Sequence, residues 1–332
     1  MNELIRDGAA WSRRGFLSAG FGLAAAGLFP FRGAAAADGT RRRVLRIAHL
    51  TDMHIQPELR AAEGVSACLR QLNDMPDRPD LILSGGDHIM DSFRRPRERT
   101  ATQWNLWSQV VKNENGIPIH SCLGNHDVWG WDRTKSGTTG TEPEYGKRWA
   151  CDVLGLDKPY YSFTQGGWRL IALDGVQPSP RPGEFSAFLD DEQYDWLQRE
   201  LESLPSTTPV LLWTHIPIVS AVVNHLATRA TIHDDGLVEA GHVHADSLKI
   251  VNLLSRFPNV KACLGGHLHR VERVDLRGIQ HYCNGAVCGK WWRGANEGFP
   301  EGFALVDLYE DGSHECRYQT YGWQAKEREK PS

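Results

Sequence analysis

Aspartate, asparagine and histidine recur in five short blocks of the sequence, and each block follows or nearly follows an apolar run typical of a strand. The blocks are Asp52-Met53-His54, Gly86-Asp87, Gly124-Asn125-His126-Asp127, His215 and Gly266-His267-Leu268-His269. Their side chains are oxygen and nitrogen ligands suited to divalent metal ions, and no cysteine stands within the blocks. The pattern therefore predicts a hydrolase site with two metal ions rather than a thiolate zinc site.

The spacing within the blocks indicates how the ligands converge. Asp52 and His54 are two residues apart, and we expect them to point to the same side of an extended or turning segment. The two histidines of the last block have the same spacing. Two ions about 3.5–4 Å apart need a shared carboxylate. Asp87 follows the glycines of Ser84-Gly85-Gly86, which leave room to approach both ions, so we expect it to bridge them.

The order of the blocks, D-x-H, GD, GNHD, H and GHxH, resembles the calcineurin-like metallophosphoesterase superfamily and its class III phosphodiesterase-like branch. The resemblance extends from about Val44 to about Tyr309. It implies an α/β fold in which two mixed β-sheets form a sandwich flanked by helices. It also implies phosphoester hydrolysis through attack by a hydroxide that bridges two divalent ions, of Mn, Fe, Zn or Co type.

The resemblance also implies roles for individual residues. One ion would be held by Asp52, His54, Asp87 and His269. The other would be held by Asp87, Asn125, His215 and His267. The histidine of GNHD, here His126, would lie beside the phosphate with Asp127 to orient it. A histidine near a carboxylate is suited to protonating a leaving group, because the anion keeps imidazole protonated nearer neutral pH.

Two neighbours of Asp87 bear on the type of site. Purple acid phosphatases have a tyrosine ligand three residues after the bridging aspartate, and Met90 stands at that position here. A ferric-tyrosinate site is therefore not expected. His88 directly follows Asp87, where many phosphodiesterase-type relatives have asparagine. Its role stays open between a contact that supports the ligands and an ordinary loop residue.

A second GHxH sequence, Gly241-His242-Val243-His244, competes for the role of the last block. The apolar run 260–264 precedes Gly266, and ligands gather beyond the carboxyl ends of strands in α/β sheets. No run of that kind precedes Gly241, and residues 245–257 have the apolar spacing of a helix. We therefore expect this pair of histidines at a helix start or at the rim of the site.

The N-terminus has the features of a twin-arginine export signal. Ser12-Arg13-Arg14-Gly15-Phe16-Leu17 precedes a Gly/Ala-rich apolar run to Phe31 and four alanines at 34–37. The run is shorter than the roughly 20 residues that span a bilayer. The sequence predicts a signal peptide over residues 1–37 and a metallophosphoesterase domain over residues 38–332. The twin-arginine machinery would deliver the protein to the periplasm or beyond it, without stable membrane anchoring.

The net charge of the chain limits the kinds of partner that it is expected to bind. Without residues 1–37 the net charge of −4 becomes −6, because that segment holds four basic and two acidic residues. An acidic chain has no bulk attraction for nucleic acid, so a small phosphoester is the expected partner. Seven cysteines leave at least one outside any disulfide. Pairing and oligomeric state stay open.

The substrate is less well defined. Two tryptophan clusters lie near the blocks or in a late loop, Trp129 with Trp131 and Lys290-Trp291-Trp292-Arg293. Their rings could line a substrate site or cover the core. A phosphodiesterase is the predicted activity. The alternatives are a phosphomonoesterase that scavenges phosphate and a protein that binds metal ions without turnover.

Apolar periodicity predicts the elements that carry these residues. Strands are expected at 44–50, 81–83, 118–123, 160–164, 168–173, 210–213 and 260–264, with several short ones from 271 onwards. Helices are expected near 64–72, 104–112, 190–203 and 245–257.

Overall fold

The computed structural model describes residues 41–223 and 241–326, and the predicted signal peptide lies outside these ranges. The strands are β1 (Arg43–Leu50), β2 (Leu81–Ser84), β3 (Ile119–Ser121), β4 (Tyr161–Gln165), β5 (Trp168–Ala172), β6 (Val176–Pro178), β7 (Phe185–Ala187), β8 (Val210–Trp213), β9 (Val260–Gly265), β10 (Val271–Leu276), β11 (Ile279–Asn284), β12 (Gly302–Tyr309) and β13 (His314–Thr320). The helices are α1 (Ala61–Asp74), α2 (Arg97–Glu114), α3 (Arg133–Ser136), α4 (Arg148–Leu154), α5 (Asp191–Ser203) and α6 (Ser247–Leu254).

Eleven of these strands form two mixed sheets. The first has the order β13-β12-β1-β2-β3, with β1, β2 and β3 parallel. The second has the order β10-β11-β9-β8-β5-β4, with β11, β9, β8 and β5 parallel and an antiparallel strand at each edge. The remaining strands, β6 and β7, pair as a hairpin. This architecture confirms the predicted α/β sandwich of two mixed sheets.

Alternation along the strands explains how the layers pack. Leu45 and Ile47 of β1 share one apolar cluster with Leu211 and Trp213 of β8, so these faces of the two sheets meet in the centre of the sandwich. The opposite face of β1 packs against α1 and α2. The opposite face of β8 packs against α5 and α6. Each fully buried large aliphatic side chain contributes about 1.5–3 kcal/mol.

The carboxyl ends of the parallel strands bring the sequence blocks to one region of the fold. Each block has its first candidate ligand two to four residues beyond the end of β1, β2, β3, β8 or β9. Ligand sites in α/β sheets form at such strand ends. The fold therefore explains why residues from Asp52 to His269 meet.

The predicted elements differ from the observed ones mainly at their ends. The strand predicted at 210–213 has the observed bounds, whereas α2 begins seven residues before the predicted 104. The prediction of α2 was short because its first turns bury polar side chains, including Gln103, which bonds both the N–H and the carbonyl of Asp91. Strands β6 and β7 and helices α3 and α4 were missed, since each is too short to show a period.

Among the described residues, no helix combines the length and apolar content needed to cross a membrane.

Candidate metal centre

Five of the seven predicted metal ligands have a left-handed backbone conformation, with φ between 42° and 67°. They are Asp52, His54, Asp87, His267 and His269. The segment that carries Asp52 and His54 is the turning one of the two expected forms, and tight turns rather than strand geometry direct their side chains to the same side. Such a conformation costs non-glycine residues about 1–3 kcal/mol each and concentrates at functional sites.

One group of donor atoms surrounds the His54 imidazole. His54 Nε2 lies 3.2 Å from His269 Nε2, 3.7 Å from Asp52 Oδ1 and 3.5 Å from Asp87 Oδ2. Asp52 Oδ1 is also 3.2 Å from His269 Nε2. The structure thus brings together the four side chains assigned to the first ion.

A second group surrounds the His215 imidazole. His215 Nε2 lies 3.1 Å from Asn125 Oδ1, 3.1 Å from His267 Nδ1 and 3.2 Å from Asp87 Oδ2. These are the four side chains assigned to the second ion. The two groups therefore meet at a single atom, the Oδ2 of Asp87.

The two oxygens of Asp87 have different surroundings. Oδ1 accepts the backbone N–H of His126 at 2.8 Å, whereas Oδ2 faces both His54 and His215. Gly124 packs so closely that a side chain there would overlap the Asp87 carboxylate. A bridging ligand requires this arrangement, with one oxygen held by the protein and the other directed between two donor groups.

Hydrogen bonds behind the donors set their orientation. The Nδ1 atoms of His215 and His269 lie 2.8 Å and 2.5 Å from the carbonyls of Gly85 and Gly289. A carbonyl only accepts, so each Nδ1 carries hydrogen, and in the neutral imidazole each Nε2 directs its lone pair at the donor group. Asp52 is held similarly, because its Oδ2 accepts from Thr51 Oγ1 at 2.6 Å and from His267 N at 2.9 Å.

The ionisable side chains of the site strongly shift one another's pKa values. Burial alone would raise the pKa of Asp87, but the imidazoles of His215 and His126 lower that pKa far below its usual range. Burial lowers the pKa of His215, yet the carboxylates of Asp87 and Asp52 outweigh it and raise the pKa to about 9. Burial and the neighbouring His215 lower the pKa of His267 to about 3. Positive charge close to the buried carboxylates therefore stabilises their ionised form.

The donor chemistry fits divalent cations. Asp52 Oδ1 is buried without a hydrogen-bond partner among the described residues, and an unpaired buried polar atom is costly. Imidazole nitrogens mixed with carboxylate and amide oxygens suit Mn, Fe, Co or Zn. The donor atoms of Asp87, His215 and His267 lie within 4.8 Å of one another, and so do those of His54, His269 and Cys288. These clusters could bind metal ions.

Cys288 is a residue that the sequence analysis did not place at the site. Its Sγ lies 3.9 Å from Nδ1 of His269, the nitrogen that faces the Gly289 carbonyl rather than Asp52. Burial raises the pKa of the Cys288 thiol, which keeps it protonated. Cys288 therefore packs behind His269, and no spacing in the sequence signals that contact.

Asp127 occupies a different position from the expected one. Its carboxylate accepts the backbone N–H groups of Asp87, His88 and Gly124, each at 2.9 Å, and lies 2.9 Å from His88 Nδ1. The His126 imidazole instead bonds through Nδ1 to the Met90 carbonyl. The expectation that Asp127 orients His126 directly is corrected accordingly. Asp127 joins the loop after β2 to the loop after β3.

His88, whose role the sequence left open, supports this junction. It is fully buried, and its Nε2 lies 2.8 Å from Ser84 Oγ and 3.3 Å from Ser121 Oγ. His88 therefore ties Asp127 to the ends of β2 and β3. The position of His88 next to Asp87 in the sequence could indicate a supporting contact. It could not indicate that the partners are Asp127 and the two serines.

The competing pair of histidines lies beside the donor groups. The His242 ring centroid is 6.2 Å from that of His267, and Nδ1 of His244 is 3.3 Å from Asp246 Oδ1 at the start of α6. Gly266 follows β9, as expected for the last block. The pair occupies the helix start and rim that the sequence analysis assigned to it.

Comparison with known proteins identifies the family. The sequence profile of the calcineurin-like phosphoesterases matches residues 45–271, which include all five blocks. The chain belongs to this family, whose members are metal-dependent hydrolases with a dinuclear metal centre.

Relatives with assigned or probable activities cover most of the chain. A 3',5'-cyclic-nucleotide phosphodiesterase of Nostoc sp. is 26% identical over 81% of this chain and 90% of its own length. The 3',5'-cyclic adenosine monophosphate phosphodiesterase of Escherichia coli is 22% identical over 81% and 87%. A probable glycerophosphodiester phosphodiesterase of Arcobacter nitrofigilis is 24% identical over 68% and 72%.

A solved structure supports the fold assignment. A dimetal phosphatase from Danio rerio aligns with a TM-score of 0.57 at 16% identity, covering 84% of this chain and 97% of that one. At this identity the similarity shows the shared fold alone.

Replacing Asp127 with asparagine should destabilise the protein. The amide would direct hydrogens at N–H groups that now donate to a carboxylate, so we expect a loss of about 1.5–3 kcal/mol in the free energy of unfolding. Urea denaturation measures the loss, with the exposed Asp157→Asn as control. An equal, small effect of both changes would contradict the role of Asp127 as a junction.

Loss of a ligand should lower metal content, whereas loss of a rim residue should not. His267→Ala and His269→Ala should each retain at most about half of the metal bound by the parent protein, because neighbouring loops do not replace a lost ligand. The double change His242→Ala and His244→Ala is the matched control and should retain full content. Elemental analysis after dialysis measures the metal content of each variant. Loss of metal in the double variant, with full content in the two single variants, would assign the ligands to the first GHxH sequence instead of the second.

Proposed function

We propose that this chain is an exported phosphodiesterase that works with two divalent ions held around Asp87. The observation that carries the proposal is the position of Asp87 Oδ2, 3.5 Å from His54 Nε2 and 3.2 Å from His215 Nε2. The relatives are named for cyclic nucleotides and, as a probable activity, glycerophosphodiesters. These names support a small phosphodiester as substrate.

The proposed ligand scheme follows the two donor groups. Asp52, His54, Asp87 and His269 would hold one ion. Asp87, Asn125, His215 and His267 would hold the other. Two divalent ions bound there would neutralise phosphate charge and lower the pKa of the attacking water towards 7. The protein's part is to fix the donors in advance, through the strained turns and the Nδ1 hydrogen bonds.

His126 would handle the proton of the leaving group. Its backbone N–H is fixed by Asp87 Oδ1, and its ring packs edge-to-face on His54 with centroids 4.6 Å apart. Because Nδ1 donates to the Met90 carbonyl, Nε2 is the nitrogen free to pass a proton to the departing alkoxide. The half-buried side chain of His126 leaves that nitrogen accessible to a substrate.

The activity test compares esters that differ in type and leaving group. The Mn-loaded protein should hydrolyse bis-p-nitrophenyl phosphate faster than p-nitrophenyl phosphate. His126→Ala should keep its metal but slow alkyl diesters by about 10²–10⁴, with a much smaller effect on nitrophenyl esters, since nitrophenolate leaves without a proton. Steady-state kinetics and metal analysis provide both readouts.

Each contrary result has a distinct meaning. Preference for the monoester would favour a phosphate-scavenging phosphomonoesterase. Metal binding without turnover of any ester would favour the non-catalytic alternative. Equal slowing of alkyl and nitrophenyl diesters by His126→Ala would assign His126 to charge stabilisation or substrate binding.

The proposed export rests on Ser12-Arg13-Arg14 and the apolar run that follows. The twin-arginine pair is read by the export machinery, so changing both arginines to lysine should leave the protein in the cytoplasm. Arg6→Lys is the control, because Arg6 lies outside the motif. Cell fractionation followed by immunoblotting measures the distribution. Undiminished periplasmic protein in the double variant would argue against this route.

A further inference from the structure

The loop between β11 and β12 places one tryptophan against the donor groups. The ring centroid of Trp291 is 4.9 Å from that of His269 and 6.3 Å from that of His54. His54 also contacts His126, the residue proposed to serve the leaving group. Trp291 is half-buried, so part of its side chain stays accessible beside the reacting region.

The adjacent tryptophan has a different role. Trp292 is 2% exposed, and its indole N–H lies 3.1 Å from the Met53 carbonyl and 3.0 Å from the His54 carbonyl. It belongs to the apolar cluster around α1 and α2. In contrast, Trp291 forms no side-chain hydrogen bond and joins no apolar cluster within residues 41–223 and 241–326. Core packing accounts for Trp292 but not for Trp291.

The backbone holds Trp291 in this position. Its φ is +48°, a value that bulky side chains rarely adopt. The N–H groups of Lys290 and Trp292 bond to the carbonyls of Gly294 and Cys288, each at 2.8 Å. The carbonyl of Gly289 accepts from His269 Nδ1, which fixes the loop to a donor residue. The adjacent Trp292 also has a positive φ, +67°, so the ring contacts with His269 and His54, not the backbone, distinguish Trp291.

We propose that Trp291 stacks on the nucleobase of a nucleotide diester and thereby selects nucleotides over aliphatic diesters. This inference rests on the proposed function and specifies its substrate class. A nucleobase is planar and uncharged, and it matches an accessible indole face. A cationic head group would also favour an indole. However, Lys290 and Arg293 are exposed cations adjacent in the loop, and they disfavour such a ligand.

The test compares Trp291→Ala and Trp291→Phe with Trp196→Ala. Trp196 is a matched control because it is also half-buried and packs on another ring, that of Tyr160 at 4.9 Å, on α5. Steady-state kinetics of the Mn-loaded protein are measured with 3',5'-cyclic AMP, glycerophosphoglycerol and glycerophosphocholine. Calorimetric titration with 5'-AMP and with glycerol 3-phosphate adds a binding readout that is independent of turnover.

The expected result is selective. Trp291→Ala should lower kcat/KM for cyclic AMP and weaken 5'-AMP binding by about 5- to 150-fold, the range that base stacking on aromatic residues produces. Trp291→Phe should retain most of both, because phenylalanine also offers an aromatic face. Values for the glycerol compounds, the metal content and every property of Trp196→Ala should change by less than about twofold.

Other patterns would overturn the assignment. If Trp291→Ala lowered kcat/KM equally for cyclic AMP and glycerophosphoglycerol, Trp291 would have a general structural role. If it lowered neither value, Trp291 would not be part of the substrate site. A larger loss for glycerophosphocholine would replace the nucleobase with a cationic group. If the parent protein hydrolyses none of the diesters, the proposed function fails. The comparison of 5'-AMP with glycerol 3-phosphate binding then still decides whether Trp291 stacks on a base.

Discussion

Two buried carboxylates, those of Asp52 and Asp87, determine which donor groups the surrounding loops must supply. Asp52 and Asp87 are 0% and 1% exposed, and buried charge is tolerated only beside opposite charge or strong hydrogen-bond donors. Each uses one oxygen for donors supplied by the chain and turns the other towards imidazoles. Glycine-lined loops and left-handed turns follow from this requirement, because donors from five strand ends must reach the two carboxylates.

A third anion, Asp127, connects the loops around the two carboxylates. Asp127 gathers three backbone N–H groups from the loops after β2 and β3, and His88 connects it to two serine hydroxyls at the ends of those strands. The bridging position of Asp87 therefore depends on a hydrogen-bond network behind it. Networks of this kind fix ligand geometry and raise the cost of losing any one member.

The convergence of the blocks could be predicted from the apolar runs and from where strands end, whereas the sandwich was predicted from the resemblance to a known family. The sequence could not predict how each side chain is turned. Asp52 and His54 were expected in an extended or turning segment, and contacts with distant segments impose the turn, in which both residues have positive φ. Asp127 was linked to His126 by adjacency, whereas two of its three backbone partners, Asp87 and His88, lie in the loop 40 and 39 residues earlier. Likewise, only tertiary structure separates Trp291 from Trp292.

The indole of Trp292 bonds to carbonyls 239 and 238 residues earlier in the chain, at Met53 and His54. On the ribosome, the first ligands emerge long before the loop that holds their backbone. The backbone of the first donor residues can be held in place only once Trp292 has been synthesised. Contacts this distant in sequence slow folding, since the intervening chain must be ordered before they form. The turn that carries Asp52 and His54 is therefore secured only when two segments far apart in the sequence have come together.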